Sequence, residues 1–232
     1  MAPETTTPID GHDEVTHSLI YGESGAGKSS GAATFPKPML VFMFDPRGKE
    51  RPYLFHPVTG KPRGALAIGE AADGTPLHVV NRDDGSLLIR IEHYLDRDPK
   101  RPEAFQRFLT RLTRLHADVE AGEYKTVVLD SVTFMELAAR KDCQYRLNPT
   151  ARDPRQWFGG STDVLEEVLL LQFGSLPCNV VALAHVDHER DEVHGTFVHN
   201  PSAPGRLRAR GSAGFGELYR AHIRLEEDGT TG

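Results

Sequence analysis

Residues Gly22-Glu-Ser-Gly-Ala-Gly-Lys-Ser29 fit the spacing G-x-x-x-x-G-K-[ST] in full. In such a loop the glycines let the backbone curl, so that successive N–H groups point inward at an anion with several oxygens. Gly22, Glu23, Ser24, Gly25, Ala26, Gly27, Lys28, Ser29 and Ser30 would then cradle the phosphates of a nucleotide. Lys28 would reach the β- and γ-phosphates, and the Ser29 hydroxyl would bind Mg²⁺. The β-prone run His17–Tyr21 comes before the loop, and a short helical stretch at 29–34 follows it. Lysine, serine and this strand–helix context together set it apart from a chance glycine-rich turn. The chemistry implied is binding and hydrolysis of MgATP.

A phosphate loop of this kind needs an acidic Mg²⁺ ligand at the tip of a neighbouring strand. Asp130, closing the buried run Thr126-Val-Val-Leu129, is that residue; its alternative is to cap the helix that follows. A catalytic acid is sought at the end of the apolar run Met39–Phe44, where Asp45 stands and Glu50 lies five residues on. Asp45 either activates water or makes a turn with Pro46. His185 closes the run Asn179–Ala184. The spacing of His185, His188, His194 and His199 matches no common zinc motif.

The elements that must hold these residues alternate between strands and helices, which argues for an α/β fold with a mainly parallel central sheet flanked by helices. Residues 1–15 are polar and read as a flexible tail, and 16–232 as one domain. Within it, 46–100 is broken by prolines and glycines and reads as a β-rich insertion laid against the main sheet. Leu77–Val80 and Leu87–Ile91 flank a hairpin turn there. From Pro102 to Gly122, one amphipathic helix is expected. Phe105, Phe108, Leu109, Leu112, Leu115 and Val119 form its apolar face, and Arg107, Arg111 and Arg114 lie elsewhere. Helices are also expected from Phe134 to about Tyr145 and from Asp163 to Phe173, and β runs at Gly195–His199 and Tyr219–Leu225.

The 232 residues are 38% hydrophobic, enough for one core, and no apolar run approaches the roughly 20 residues needed to cross a bilayer. The N-terminus has neither the basic start nor the apolar stretch of a secretion signal, and two cysteines make no disulfide scaffold, so a cytoplasmic setting is expected. A formal charge of −6 excludes a surface that coats nucleic acid all over, leaving only a local patch for such contact. Twenty of the 27 cationic residues are Arg, a bias that a GC-rich genome also produces. The most basic short segment carries Arg206, Arg208 and Arg210 at alternate positions, on one side if extended. Its readings are DNA contact, an arginine finger reaching a neighbouring ATP, or solvated surface. Trp157 and Phe158 either stack a base or staple the core.

In AAA+ ATPases the Mg²⁺ aspartate is usually followed by a catalytic glutamate, whereas Asp130 is followed by Ser131, Val132 and Thr133. Asp-Ser-Val resembles the RecA-like branch of P-loop proteins, in which the catalytic acid comes from the end of the strand after the phosphate-loop helix. Family members more often carry Glu where Asp45 stands. With Lys37-Pro38-Met-Leu, Arg155-Gln-Trp157 and Asn179–His185, the chain from about residue 17 onward resembles phage-encoded RecA-like ATP-binding proteins, some of them single-strand annealing or recombination ATPases. The resemblance implies that His185 senses the γ-phosphate and relays nucleotide state to DNA. It also implies single-stranded DNA as a partner, replication or recombination proteins as possible others, and an oligomer with ATP between subunits. The competing functions are a small-molecule or nucleotide kinase and a non-hydrolysing nucleotide switch or loader for a replication protein.

Overall fold

The computed structural model of the chain describes residues 15–46, 48–190, 197–202 and 214–222. Along the chain run β1 (His17–Gly22), α1 (Lys28–Ala32), β2 (Met39–Met43), α2 (Arg51–Leu54), β3 (Ala65–Glu70), β4 (Pro76–Asn81) and β5 (Leu87–His93). Next come α3 (Ala104–Leu112), α4 (Leu115–Glu120), β6 (Thr126–Asp130), α5 (Val132–Asp142) and α6 (Pro154–Glu166). β7 (Asn179–Ala184), β8 (Val186–Arg190), β9 (Phe197–Pro201) and β10 (Glu217–Ala221) complete the described part. No helix among the described residues is long and apolar enough to cross a membrane.

Eight strands form one sheet in the order β10-β1-β7-β6-β2-β5-β4-β3, parallel from β10 to β5 and antiparallel beyond. β2 explains the architecture by itself. All five of its residues are buried, as a strand covered on both faces demands. Because successive side chains alternate, Leu40 and Phe42 enter one core while Met39, Val41 and Met43 enter the other. The first core lies under α3 to α6 and holds an aromatic cluster, in which Phe108 packs on Phe42, Phe44, Tyr94 and Phe173. The second lies under α1 and α2.

Three expectations change here. The segment 46–100 does not lie against the sheet: β5 pairs in parallel with β2, and the β4–β5 hairpin extends the same sheet edgewise to β3. The amphipathic stretch after Pro102 is two helices, α3 and α4, which meet at Thr113 and Arg114. α5 and α6 run further than their apolar spacing suggested, each continuing into wider π-type turns, Cys143–Leu147 and Glu167–Phe173. The expected runs at Gly195–His199 and Tyr219–Leu225 appear as β9 and β10, with residues 195, 196 and 223–225 outside the described set.

Arg111 is also not where helical spacing put it. It is buried, with Nε 3.2 Å from Glu92 Oε1 and Nη1 2.7 Å from Asp118 Oδ2. Glu92, buried on β5, also accepts from Arg90 Nε at 2.7 Å and Tyr94 Oη at 2.8 Å. A periodicity count scores charge as outward-facing and cannot see a carboxylate waiting on a strand distant in sequence. Arg111→Ala strips one cation from a buried carboxylate and is expected to lower unfolding free energy by about 3 kcal/mol in urea melts. A loss under 1 kcal/mol would mean that Arg90 and Tyr94 suffice.

Candidate nucleotide site

The parallel strands β1, β2, β6 and β7 end on the same edge of the sheet, where open α/β sheets bind ligands. A cavity of about 450 Å³ lies there, lined among others by Ser24, Gly25, Gly27, Lys28, Ser29, Ser30, Asp45, Asp130 and His185. The phosphate loop joins β1 to α1. Gly25 and Gly27 have φ of 84° and 88°, backbone that side-chain-bearing residues rarely adopt, and this curls the loop. Gly22 is a glycine for a different reason: a Cβ there would sit 2.2 Å from the carbonyl oxygen of Ala221 on β10.

The buried Lys28 turns back over the loop and donates to the carbonyl oxygens of Gly22 and Glu23, both at 2.8 Å. Burial lowers its pKa, while the charges of Asp130, Asp45 and Glu23 act the other way. Ser29 Oγ donates to Asp130 Oδ2 at 2.8 Å. Asp130 is not on a strand adjacent to the loop's own, as the sequence suggested, because β7 runs between β1 and β6. It meets Ser29 because both stand at the same edge of a twisted sheet.

Asp45 follows β2 and accepts from Ser131 Oγ at 2.5 Å. Ser131 thus both begins α5, accepting from the Phe134 amide, and clamps Asp45 beside Asp130. Glu50, the other candidate acid, is turned toward the Gly48 amide at 2.7 Å and does not line the cavity. His185 Nε2 is buried with no hydrogen-bond partner among the described residues, 3.8 Å from Asp45 Oδ2. Its backbone N–H donates to Thr133 Oγ1 at 3.0 Å, and its ring packs edge-on to Phe134. Glu23 does not face the cavity and pairs with His188 of β8, Oε1 to Nε2 at 2.5 Å.

Tyr53 is the residue that sequence reasoning missed. Fully buried on α2, it donates from Oη to Asp130 Oδ2 at 2.8 Å. A tyrosine inside a proline-broken stretch carries no spacing signal. Ser131 carried one, as a serine directly after a strand-ending aspartate. Arg206, Arg208 and Arg210 lie outside the described residues. Trp157 and Phe158 do not staple the core: Trp157 Nε1 donates to the Asn148 carbonyl at 3.3 Å, and the exposed Phe158 ring lies under the Arg140 guanidinium.

Burial, and then the charge of Asp45, push the Asp130 carboxyl up from 3.8 to about 6. A carboxyl that holds its proton more tightly folded than unfolded favours folding at low pH. That contribution is lost as pH rises through about 6. In metal-free buffer, Asp130→Asn removes the cost of burying the charge and is expected to stabilise the protein by up to roughly 3 kcal/mol at pH 7.5. The gain should vanish near pH 4, so parallel urea melts at the two pH values check it.

The donor set fits a nucleotide and a hard divalent cation. A hydroxyl and carboxylate oxygens converge at Ser29, Asp130 and Asp45, an ammonium and a curled glycine backbone face them, and the buried His185 Nε2 stands 3.8 Å from Asp45 Oδ2. No curated protein matches the chain. A family model described as an AAA domain matches residues 16–203. With the loop, the acid at the tip of β6 and the mostly parallel sheet in place, that match makes the chain a member of the AAA-domain family, a nucleotide-binding protein of the P-loop ATPase kind.

Proposed function

We propose that this protein is a Mg²⁺-dependent ATPase of RecA-like organisation that acts on single-stranded DNA in phage-type recombination or replication, in the cytoplasm. The observation that carries the ATPase reading is the Ser131–Asp45 hydrogen bond, which holds a carboxylate at the end of β2, facing Lys28 and Asp130 across one cavity. That is the position from which the RecA-like resemblance draws its catalytic acid.

Lys28 holds the β- and γ-phosphates, and the amides of the 22–30 loop hold the remaining phosphate oxygens. Ser29 and Asp130 hold the Mg²⁺, which when bound offsets charge developing on the phosphate oxygens. Tyr53 keeps the Asp130 carboxylate oriented toward Ser29. Asp45 orients the attacking water and takes its proton. His185 senses the change at Asp45. It can transmit that change because its carbonyl accepts from the Ser202 amide at 2.7 Å, just past β9, and the β8–β9 hairpin reaches back to Glu23 through His188. The DNA reading is supported by the resemblance around Asp130 and His185. A homo-oligomer with ATP between subunits belongs to the same reading, with Arg206, Arg208 and Arg210 reaching DNA or the neighbouring ATP, and replication or recombination proteins as further partners.

The test is steady-state ATP turnover with Mg²⁺, with and without single-stranded DNA, using Lys28→Ala as the blank. Turnover that rises with single strands and is absent in the variant is the expected result. Turnover indifferent to DNA, with no DNA binding in any nucleotide state, sinks the DNA reading. Phosphate transfer to a nucleoside or sugar acceptor would make the protein a kinase instead.

A further inference from the structure

At the other end of β2 from Asp45, a second cavity of about 610 Å³ opens on the α1–α2 side of the sheet. Its walls are the segment 33–37, the loop from His56 to Arg63 and Leu88 of β5. Lys37, Lys61 and Arg63 line it, and none of its lining residues is acidic. Arg82, on the turn between β4 and β5, is near enough to add its charge to theirs. Among the described residues, none of these four cations makes an ion pair.

The neutral contacts of these cations show how they are held. Lys37 Nζ donates to the carbonyl oxygens of Ala33, at 3.0 Å, and Phe35. Arg63 Nε donates to the Pro52 carbonyl at 3.1 Å, and Arg82 Nη1 to the Leu87 carbonyl at 3.0 Å. Carbonyl dipoles fix the side chains without cancelling their charge. Burial first, and then the neighbouring charges of Arg63 and Arg82, bring the Lys37 ammonium down to about 8. In a chain of net charge −6, such a patch is local and specific.

We propose that this groove binds the phosphates of a nucleic acid strand. The assignment rests on the single-stranded DNA reading above and gives it a surface separate from the nucleotide cavity. Cations spread over three chain segments suit a run of phosphates better than one compact ion. Thr59 Oγ1, which accepts from the Lys61 amide, keeps its own proton to donate to a phosphate oxygen, and Phe35 offers a ring against which a base can stack. His56 lines both cavities. Its amide donates to the Lys61 carbonyl at 2.8 Å, so one short loop is the wall between the nucleotide and the strand.

Fluorescence anisotropy of a labelled oligo(dT) strand against the full chain tests this, across a salt series and with ATP binding measured in parallel. Lys61→Gln/Arg63→Gln is expected to weaken strand binding about tenfold or more and to reduce the slope of log K against log salt by about 1.4, with ATP affinity unchanged. Lys61→Glu, at an exposed side chain, is expected to weaken it in the same direction if the double variant folds poorly. Neutralising the exposed Lys100, Arg152 and Arg155 removes more charge and should leave strand binding nearly as it was.

Strand binding by the wild type that the groove variants retain in full overturns the groove and leaves the DNA reading intact. Acetylation of Lys37 separates the two sources of phosphate. Protection by the oligonucleotide, and not by inorganic phosphate at equal phosphate concentration, supports the proposal. Protection by inorganic phosphate with no oligonucleotide binding overturns it in favour of an ion site, and the DNA reading falls with it.

Discussion

Lys28→Ala is expected to lower ATP turnover by on the order of 10²- to 10³-fold, because it removes a preorganised cation aimed at the phosphate oxygens where charge develops. The loss should fall on both binding and chemistry. The Lys28 ammonium is held by the carbonyls of Gly22 and Glu23, with its pKa lowered by burial. Phosphates give it a better partner, and a methyl group in its place gives neither contact. Binding of a fluorescent ATP analogue and single-turnover hydrolysis separate the two effects. Stability should change little, since the variant exchanges a buried ammonium for an apolar side chain. Wild-type ATP affinity in this variant would remove the phosphate loop from the functional reading altogether.

Asp45→Asn is the second large effect, with kcat expected to fall by roughly 10²- to 10⁴-fold while ATP affinity is nearly kept. The amide retains an oxygen where Ser131 Oγ donates at 2.5 Å, so the variant changes charge and basicity more than geometry. A residue that only positions Ser131 would tolerate the exchange, and one that accepts the proton of water would not. Glu50→Gln is the companion measurement. Glu50 faces the Gly48 amide and not the cavity, so its loss should cost less than a factor of a few. Equal turnover in Asp45→Asn and the wild type would move the base away from β2. His185→Phe should leave unstimulated turnover within a few-fold and reduce any stimulation by DNA, because His185 meets Asp45 on one side and the chain leading to β8 and β9 on the other.

Much of the site was legible in the chain because its parts are local. The phosphate loop is one uninterrupted segment whose glycines report a backbone need, φ above zero at Gly25 and Gly27, that no distant contact alters. The strands that carry Asp45, Asp130 and His185 are apolar runs buried on both faces, and such runs announce themselves. The same locality explains the α/β fold, since the order of strands and helices is written along the sequence.

Tertiary structure alone decided what depends on contacts between remote segments. β7 lies between β1 and β6, so the distance from Ser29 to Asp130 follows from sheet order and twist, which no spacing encodes. Tyr53 reaches Asp130 across 77 positions, and Ser131 reaches Asp45 across 86. Arg111 was hidden from a periodicity count because its partner Glu92 stands on a different element. The cations beside Lys37 become a patch only when the loop at 56–63 and the β4–β5 turn fold against the start of β2. Propensity and pattern act over a few residues, whereas burial and charge act through space, and it is the latter that turned a phosphate-binding loop into a site.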